Sequence, residues 1–288
     1  MSPIASEKVA RPCLKWVGGK HESVEHILRY LSAKIDTYYE PFFGGGAVFF
    51  ALAAAKRFKR AVISDSCLEL IEMYRTIRDD VEAVIAAIRR LGPSRISEKK
   101  YYRIRASRPR TPAGRAARTL FLNKNGFNGL YRVNSFGKFN VPWGKRTSWK
   151  PDYENLVAVS AALCDVEIVA GDFESPLRDA CLGDAVYLDP PYLPKSKTEK
   201  FTAYTRNGFG FDQQLRLANV YRELTEIGVH VVASNADTPL AMKLYGDIPG
   251  TKYRRTHVSR AVNSNGKGRG KVGELLIVNP GIPGESGK

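Results

Sequence analysis

Four strand-like, mostly apolar residues, Ala185 to Leu188, end abruptly in Asp189-Pro190-Pro191-Tyr192. Each proline fixes its own φ and lacks an N–H, and Asp189, lying ahead of a proline, is pushed toward extended geometry. The result is a stiff corner that presents a carboxylate, a backbone carbonyl and an aromatic face together. That set suits an exocyclic amine on a flat base. Such a nitrogen is a poor nucleophile because its lone pair is delocalised into the ring. The Asp189 carboxylate and the Pro190 carbonyl can accept its two N–H bonds and favour a pyramidal nitrogen, while Tyr192 stacks on the ring. A strand that simply enters a Pro-Pro turn is the plain alternative for a lone tetrapeptide, so the rest of the chain has to decide.

Two further stretches have the chemistry of a nucleotide-like ligand. Leu14-Lys15-Trp16-Val17-Gly18-Gly19-Lys20 sets two glycines between a tryptophan and a lysine, ahead of a helical pattern over residues 23–33. The glycines let a backbone approach a ligand closely, although a plain Gly-Gly turn accounts for them too. Thr37 to Glu40 reads as a strand, followed by Pro41-Phe42-Phe43-Gly44-Gly45-Gly46 and a helix opening near Val48. A glycine-rich strand-to-helix turn accommodates nucleotide-like cofactors in doubly wound folds, and the absence of G-x-G-x-x-G counts against a dinucleotide. The next strand, Ala61 to Asp65, ends in an acid placed either to bond ribose hydroxyls or to cap a helix. In this combination ribose is favoured.

The elements around these motifs alternate in the manner of an α/β protein. A helical pattern runs from Cys67 to Arg90, another from Tyr153 to Leu163 and a third from Asp212 to Ile227. Strands are expected at Glu167–Ala170, leading into Gly171-Asp172-Phe173, at His230–Asn235 and at Leu275–Val278. A long polar loop over 193–210 contains Phe201-Thr202-Ala203-Tyr204, and a loop of that length beside a site is expected to be functional. Residues 99–150 contain neither Asp nor Glu, and their Lys and Arg residues are interleaved with aromatics from Tyr101 to Trp149. A solvated charge run mixes signs and carries few aromatics, so this block suits phosphate contacts plus insertion or stacking against bases. Within it, Asn123 to Arg132 and Phe139 to Gly144 imply a tight hairpin or loop rich in residue types that pair with base edges. A second basic stretch without acids holds Lys252, Arg254, Arg255, Arg260, Lys267, Arg269 and Lys271.

Composition narrows the partners. The chain has 288 residues, 43% hydrophobic and 26% charged, and a net charge of +16. That surplus calls for a polyanion, nucleic acid before a membrane surface. The apolar run Ala47–Ala55 is too short for a bilayer. With no secretory pattern before the first strand and Cys13, Cys67, Cys164 and Cys181 far apart, free thiols in a reducing cytoplasm are expected, with no metal site.

In combination and order, these segments resemble the Dam-type DNA adenine-N6 methyltransferases, alpha-type amino-methyltransferases, from about Leu14 to Val278. The resemblance rests on Lys15–Lys20, Glu40–Gly46, Asn123–Gly144, Gly171–Phe173, Asp189–Tyr192 and Phe201–Tyr204. It implies an α/β, Rossmann-like S-adenosylmethionine-dependent catalytic domain over 1–66 and 153–288, with a mainly helical target-recognition domain inserted at 67–152. By resemblance, Trp16, Lys20, Glu40, Phe42, Gly44, Gly46, Asp65, Asp172 and Phe173 bind S-adenosylmethionine. Asp189, Pro190, Pro191 and Tyr192 are catalytic, and no metal takes part. Lys15, Lys124, Asn128, Leu130, Arg132, Asn140 and Pro142 contact double-stranded DNA, with Phe127 as a wedge and GATC as target. A monomer is implied, in the nucleoid-associated cytoplasm of a bacterium or a phage-infected host. Ser66-Cys67 and the Arg/Pro-rich stretch 92–114 depart from relatives and bear on flanking preference rather than chemistry. The corner and cofactor turn alone also admit cytosine N4 or RNA as acceptor, or a catalytically silent DNA-binding protein.

Overall fold

The computed structural model describes residues 8–20, 22–192, 209–259 and 271–280. The strands are β1 (Ile35–Glu40), β2 (Phe58–Asp65), β3 (Val166–Ala170), β4 (Ala185–Leu188), β5 (His230–Ala236), β6 (Lys252–Ser259) and β7 (Lys271–Val278). The helices are α1 (Val24–Leu28), α2 (Ala47–Ala54), α3 (Leu68–Asp79), α4 (Val81–Arg90), α5 (Glu98–Ala106), α6 (Pro112–Asn125), α7 (Tyr153–Ala162), α8 (Phe211–Glu226) and α9 (Pro239–Tyr245). The strands make one sheet in the order β3-β2-β1-β4-β5-β7-β6. β1 runs parallel to β2 and β4, and β4 to β5, whereas β7 is antiparallel to β5 and β6. This is the α/β sheet that the βα alternation predicts, in the Rossmann-like form that the family resemblance implies. Strand order reverses between β1 and β4, where open α/β sheets bind ligands at the carboxyl ends of their strands.

The described residues form two compact units. One draws on 1–20, 44–55 and 65–171, the other on 21–43, 56–64 and 172–288. In the second unit β4 buries all four of its residues, as a central parallel strand covered on both faces must. Val186 and Leu188 join Leu217, Tyr221 and Leu224 of α8 and Ala241 and Tyr245 of α9 in one apolar cluster. In the first unit a separate cluster joins Tyr101 and Ile104 of α5, Phe121 and Leu122 of α6, and Phe139 and Val141 of the segment that follows.

Several boundaries differ from the sequence pattern, each for a local reason. The helix expected over 23–33 stops at Leu28, where Arg57 takes the Leu28 carbonyl (2.9 Å) that a longer helix would use and also holds the Ser32 carbonyl (3.1 Å). The pattern from Cys67 to Arg90 is two helices. Asp80 (φ −155°, ψ 73°) breaks it, and its carboxylate accepts the Ala83 N–H at 2.9 Å to start α4. The stretch 92–114 contains starts of two helices, capped by Ser97 and Thr111, with Pro112 in the first turn of α6. The basic stretch after residue 251 opens with the edge strand β6, whose lysine and arginines discourage pairing with another chain. Phe201–Tyr204, Arg260, Lys267 and Arg269 lie outside the described residues. Among the described residues no helix is long and apolar enough to cross a membrane.

Candidate active site

In the second unit β4 delivers the half-buried Asp189, the buried Pro190, the exposed Pro191 and the half-buried Tyr192. The corner is braced by side chains that the sequence reading did not single out. Gln214 of α8 donates to the Pro191 carbonyl at 2.7 Å, and Asn235 of β5 donates to the Gln214 amide oxygen at 3.0 Å. Both are fully buried, so each bond also spares the penalty of an unmet polar group. The Tyr192 hydroxyl donates to Glu274 of β7, a buried acid whose only sequence signal is its place at the head of the apolar run Leu275–Val278.

Glu40, at the end of β1, is buried and accepts the Tyr38 hydroxyl at 2.8 Å. Burial, then the charges of Glu40 and Asp189, push the Tyr38 phenol far above its ordinary range, so it stays protonated and donates. The Tyr187 and Ser234 hydroxyls pair at 2.8 Å. Phe42 stacks on Phe173 with ring centres 5.4 Å apart and planes at 25°. The Arg216 guanidinium lies 4.9 Å from the centre of the Phe173 ring and bonds both Asp172 and Glu174 at 2.9 Å. Burial works to raise the Asp172 carboxyl, but Arg216 and the Glu174 N–H together bring it below the usual carboxylate value.

In the first unit the glycine turn is shaped by Trp16 and Asp65. Gly44 has φ +50°, and a Cβ there would stand 2.6 Å from the Trp16 ring, so only glycine fits. Gly46, at φ +69°, precedes α2 as its N-cap. Tyr131 stacks on Trp16 at 5.2 Å. Asp65 accepts the Gly44 N–H at 3.0 Å and the Cys67 N–H at 2.9 Å. The cap position of α3 is Cys67, so the capping alternative for Asp65 gives way to a clasp between the end of β2 and the glycine turn. A carboxylate has about four acceptor sites, which leaves room for ligand hydroxyls. Burial raises the Asp65 carboxyl against the opposing backbone N–H bonds. Lys20 is buried and donates to the Gly18 carbonyl at 3.0 Å.

The basic, aromatic block divides into structural and exposed groups. Of the expected hairpin or loop, residues 126–143 take the hairpin form, closed by isolated antiparallel bridges Gly126–Trp143 and Val133–Phe139. Buried Asn123 accepts the Lys15 N–H at 2.9 Å and donates to the Lys15 and Gly129 carbonyls, which brings Lys15 together with Phe127, Asn128 and Leu130. Asn128 is left-handed (φ +55°), and Phe127 is 44% exposed. Arg132 is exposed, and its Nε donates to Asn140 at 2.7 Å across the hairpin. Pro142 is exposed, and its carbonyl accepts the Phe127 N–H at 2.9 Å. Lys124 is half-buried; burial, with Lys15, Arg146 and Arg11 adding to it and Cys13 opposing, lowers its ammonium pKa. By contrast Lys100, Arg105 and Arg118 hold backbone carbonyls of this unit, those of Arg95, Val141 and Ile104 among them.

Residues 16–262 match the family described as D12 class N6 adenine-specific DNA methyltransferase. The chain is 40% identical over 281 residues to the type II methyltransferase M1.LlaDCHI of Lactococcus lactis subsp. cremoris, covering 94% of this chain and 96% of that one. It is 38% identical to the type II methyltransferase M.MjaIII of Methanocaldococcus jannaschii, over 93% and 99% of the two chains. It is 34% identical to the DNA adenine methylase of Escherichia coli K12, over 96% and 98%. With matches of that extent, the chain belongs to the D12 class of N6 adenine-specific DNA methyltransferases.

Proposed function

We propose that this methyltransferase moves a methyl group from S-adenosylmethionine to N6 of the adenine in GATC, with that base turned out of the duplex. The observation that supports this most is the sheet topology. β1 and β4 are parallel neighbours at the reversal of strand order, so Glu40 to Phe43 and Asp189 to Tyr192 leave the sheet at one edge. Within each unit taken by itself, the residues present suit a part of the donor. Gly44, lacking a Cβ, lets the Trp16 ring lie against the glycine turn as an aromatic wall, and the Asp65 carboxylate suits ribose hydroxyls. Glu40 and Asp172 suit a cationic nucleoside, and the Phe42–Phe173 pair offers aromatic surface. When bound, S-adenosylmethionine supplies a methyl group on a cationic sulfur that departs as a neutral thioether.

Asp189 and the Pro190 carbonyl would accept the two N–H bonds of the amine and so orient its lone pair for attack, while Tyr192 stacks on the base. Because the leaving group is neutral, orientation and hydrogen-bond acceptors matter more than a strong base. After transfer the methylated amine is cationic, and its proton passes to the Asp189 carboxylate that accepts the N–H and from there to water. Flipping the base costs a few kcal/mol, which the exposed ring of Phe127 offsets by bracing the stack. Lys15, Asn128, Leu130, Arg132, Asn140 and Pro142 read the site, with Lys124 adding positive charge and residues 67–152 serving as the target-recognition insertion of a monomer. The test is methylation of plasmid DNA followed by sequence-resolved mapping and mass spectrometry of the product. N6-methyladenine confined to GATC is expected. N4-methylcytosine, or adenines modified elsewhere, overturns the assignment.

A further inference from the structure

We propose that Glu274 is a positioning residue for base capture: from β7 it fixes the Tyr192 ring as a preformed stacking face. This rests on the Asp189 corner being where the target adenine is held. Glu274 is 4% exposed and begins a strand segment whose next three residues, Leu275, Leu276 and Ile277, are fully buried. A carboxylate in such surroundings is costly unless hydrogen-bonded. In the β7 register it lies opposite Ala236, at the carboxyl end of β5, the edge at which β4 delivers Asp189. One of its oxygens accepts the Tyr192 hydroxyl. Burial, reinforced by the negative charges of Asp189 and Glu274, keeps the Tyr192 phenol protonated, so the tyrosine donates and the glutamate accepts.

Stacking on a flat base needs only the aromatic ring, so the hydroxyl has a different use. At the other end of Tyr192, the preceding carbonyl is held by Gln214, which is held in turn by Asn235. Backbone and ring tip are thus both anchored before any base arrives. Preorganisation of this kind lowers the cost of binding and of reaching the reactive geometry.

The test uses the full-length enzyme on GATC duplexes, with kcat, KM and calorimetric S-adenosylmethionine affinity measured for Glu274→Gln, Glu274→Leu, Tyr192→Phe and the Glu274→Leu/Tyr192→Phe pair. Gln keeps a carbonyl acceptor and is expected to stay within about threefold of wild type. Leu matches its strand neighbours but accepts nothing, and kcat is expected to fall about tenfold to a hundredfold, the scale of a misplaced reacting group. Donor affinity should stay within about twofold, and the double variant should be no worse than Tyr192→Phe, because both changes break one bond. Wild-type kcat in Glu274→Leu, fully additive losses, or parallel loss of donor affinity overturns the proposal. If Glu274→Leu does not fold, Tyr192→Phe decides alone, since it removes only the hydroxyl, and an undiminished kcat there also overturns it. A wild-type enzyme that modifies no adenine would instead overturn the reading of the corner on which this inference rests.

Discussion

At the scale of single residues, the corner and the glycine turn make separable demands. Asp189→Asn preserves size but exchanges one acceptor oxygen for an amide donor, so a substrate N–H meets an N–H. Methyl transfer is expected to fall about a hundredfold, from lost orientation and acceptor charge, with donor binding much less affected. Near-normal turnover in single-turnover assays would remove Asp189 from its role. Gly44 makes the opposite case, because its importance lies in what it lacks. Gly44→Ala must hold a left-handed φ and push a Cβ into Trp16, a strain of about 1–3 kcal/mol. Trp16→Ala removes the crowding ring, and with it an aromatic wall of the turn. Calorimetry should show both single variants weakening S-adenosylmethionine, and the Gly44→Ala penalty shrinking when Trp16→Ala is already present. A Gly44→Ala penalty that is unchanged by Trp16→Ala would place the strain in the backbone alone.

Elements were legible in the sequence where their signals are local. The four residues of β4 and the Asp-Pro-Pro-Tyr stop are as the pattern predicts, and so is the 126–143 hairpin with its Gly and Asn residues. Asp80 and Thr111-Pro112 are local start signals as well, submerged in a longer helical pattern and an Arg/Pro-rich stretch. What the pattern could not carry depends on residues far apart in the chain. Arg57 ends α1 from 25 residues or more downstream, Glu274 reaches back to Tyr192, and Asn123 gathers Lys15. The start of α7 is another such long-range junction. Asp152 caps it by accepting the Asn155 N–H, and it also pairs with Lys8 at 2.8 Å and Arg11 at 2.7 Å, which docks the segment leading to Trp16. The Lys8 hydrogen bond first, with burial opposing and Arg11 helping, lowers the Asp152 carboxyl to about 2. A lowered carboxylate stabilises the folded state above its unfolded value of about 3.9 and loses that contribution as pH falls toward its folded value. Asp152→Asn keeps a good cap while removing the charge, so it should cost at most about 1 kcal/mol near neutrality, these pairs being partly screened. Chemical unfolding at stepped pH should show the gap between wild type and Asp152→Asn closing from about pH 4 downward. A gap that persists at pH 2 would mean that the charge is not its source.

For the whole molecule, the surplus of +16 is a statement about a polyanion, but its residues do not all face one. Lys100, Arg105 and Arg118 are held on backbone carbonyls, and burial lowers the pKa of Lys100 and of Arg118. Changing them would loosen the helical unit before it touched any phosphate. Lys99 and Arg103, one turn apart on α5, are exposed, as are Lys138, Lys145, Arg146 and Lys150. Arg132 differs from all of these, because its guanidinium is oriented by Asn140 through Nε, and under the proposed function its terminal nitrogens are the ones that would read a guanine edge. The two classes predict different measurements. Lys99→Ala and Arg103→Ala should weaken cognate and non-cognate duplexes alike, each making the log-log salt dependence shallower by about one. Arg132→Ala should leave that slope nearly unchanged and relax discrimination at one guanine position by about 1–3 kcal/mol. Methylation rates on GATC and its single-base variants, with binding titrated at several salt concentrations, separate the cases. An Arg132→Ala enzyme that slows equally on every sequence would make Arg132 one more phosphate contact, and the reading of guanine would then fall to another hairpin residue.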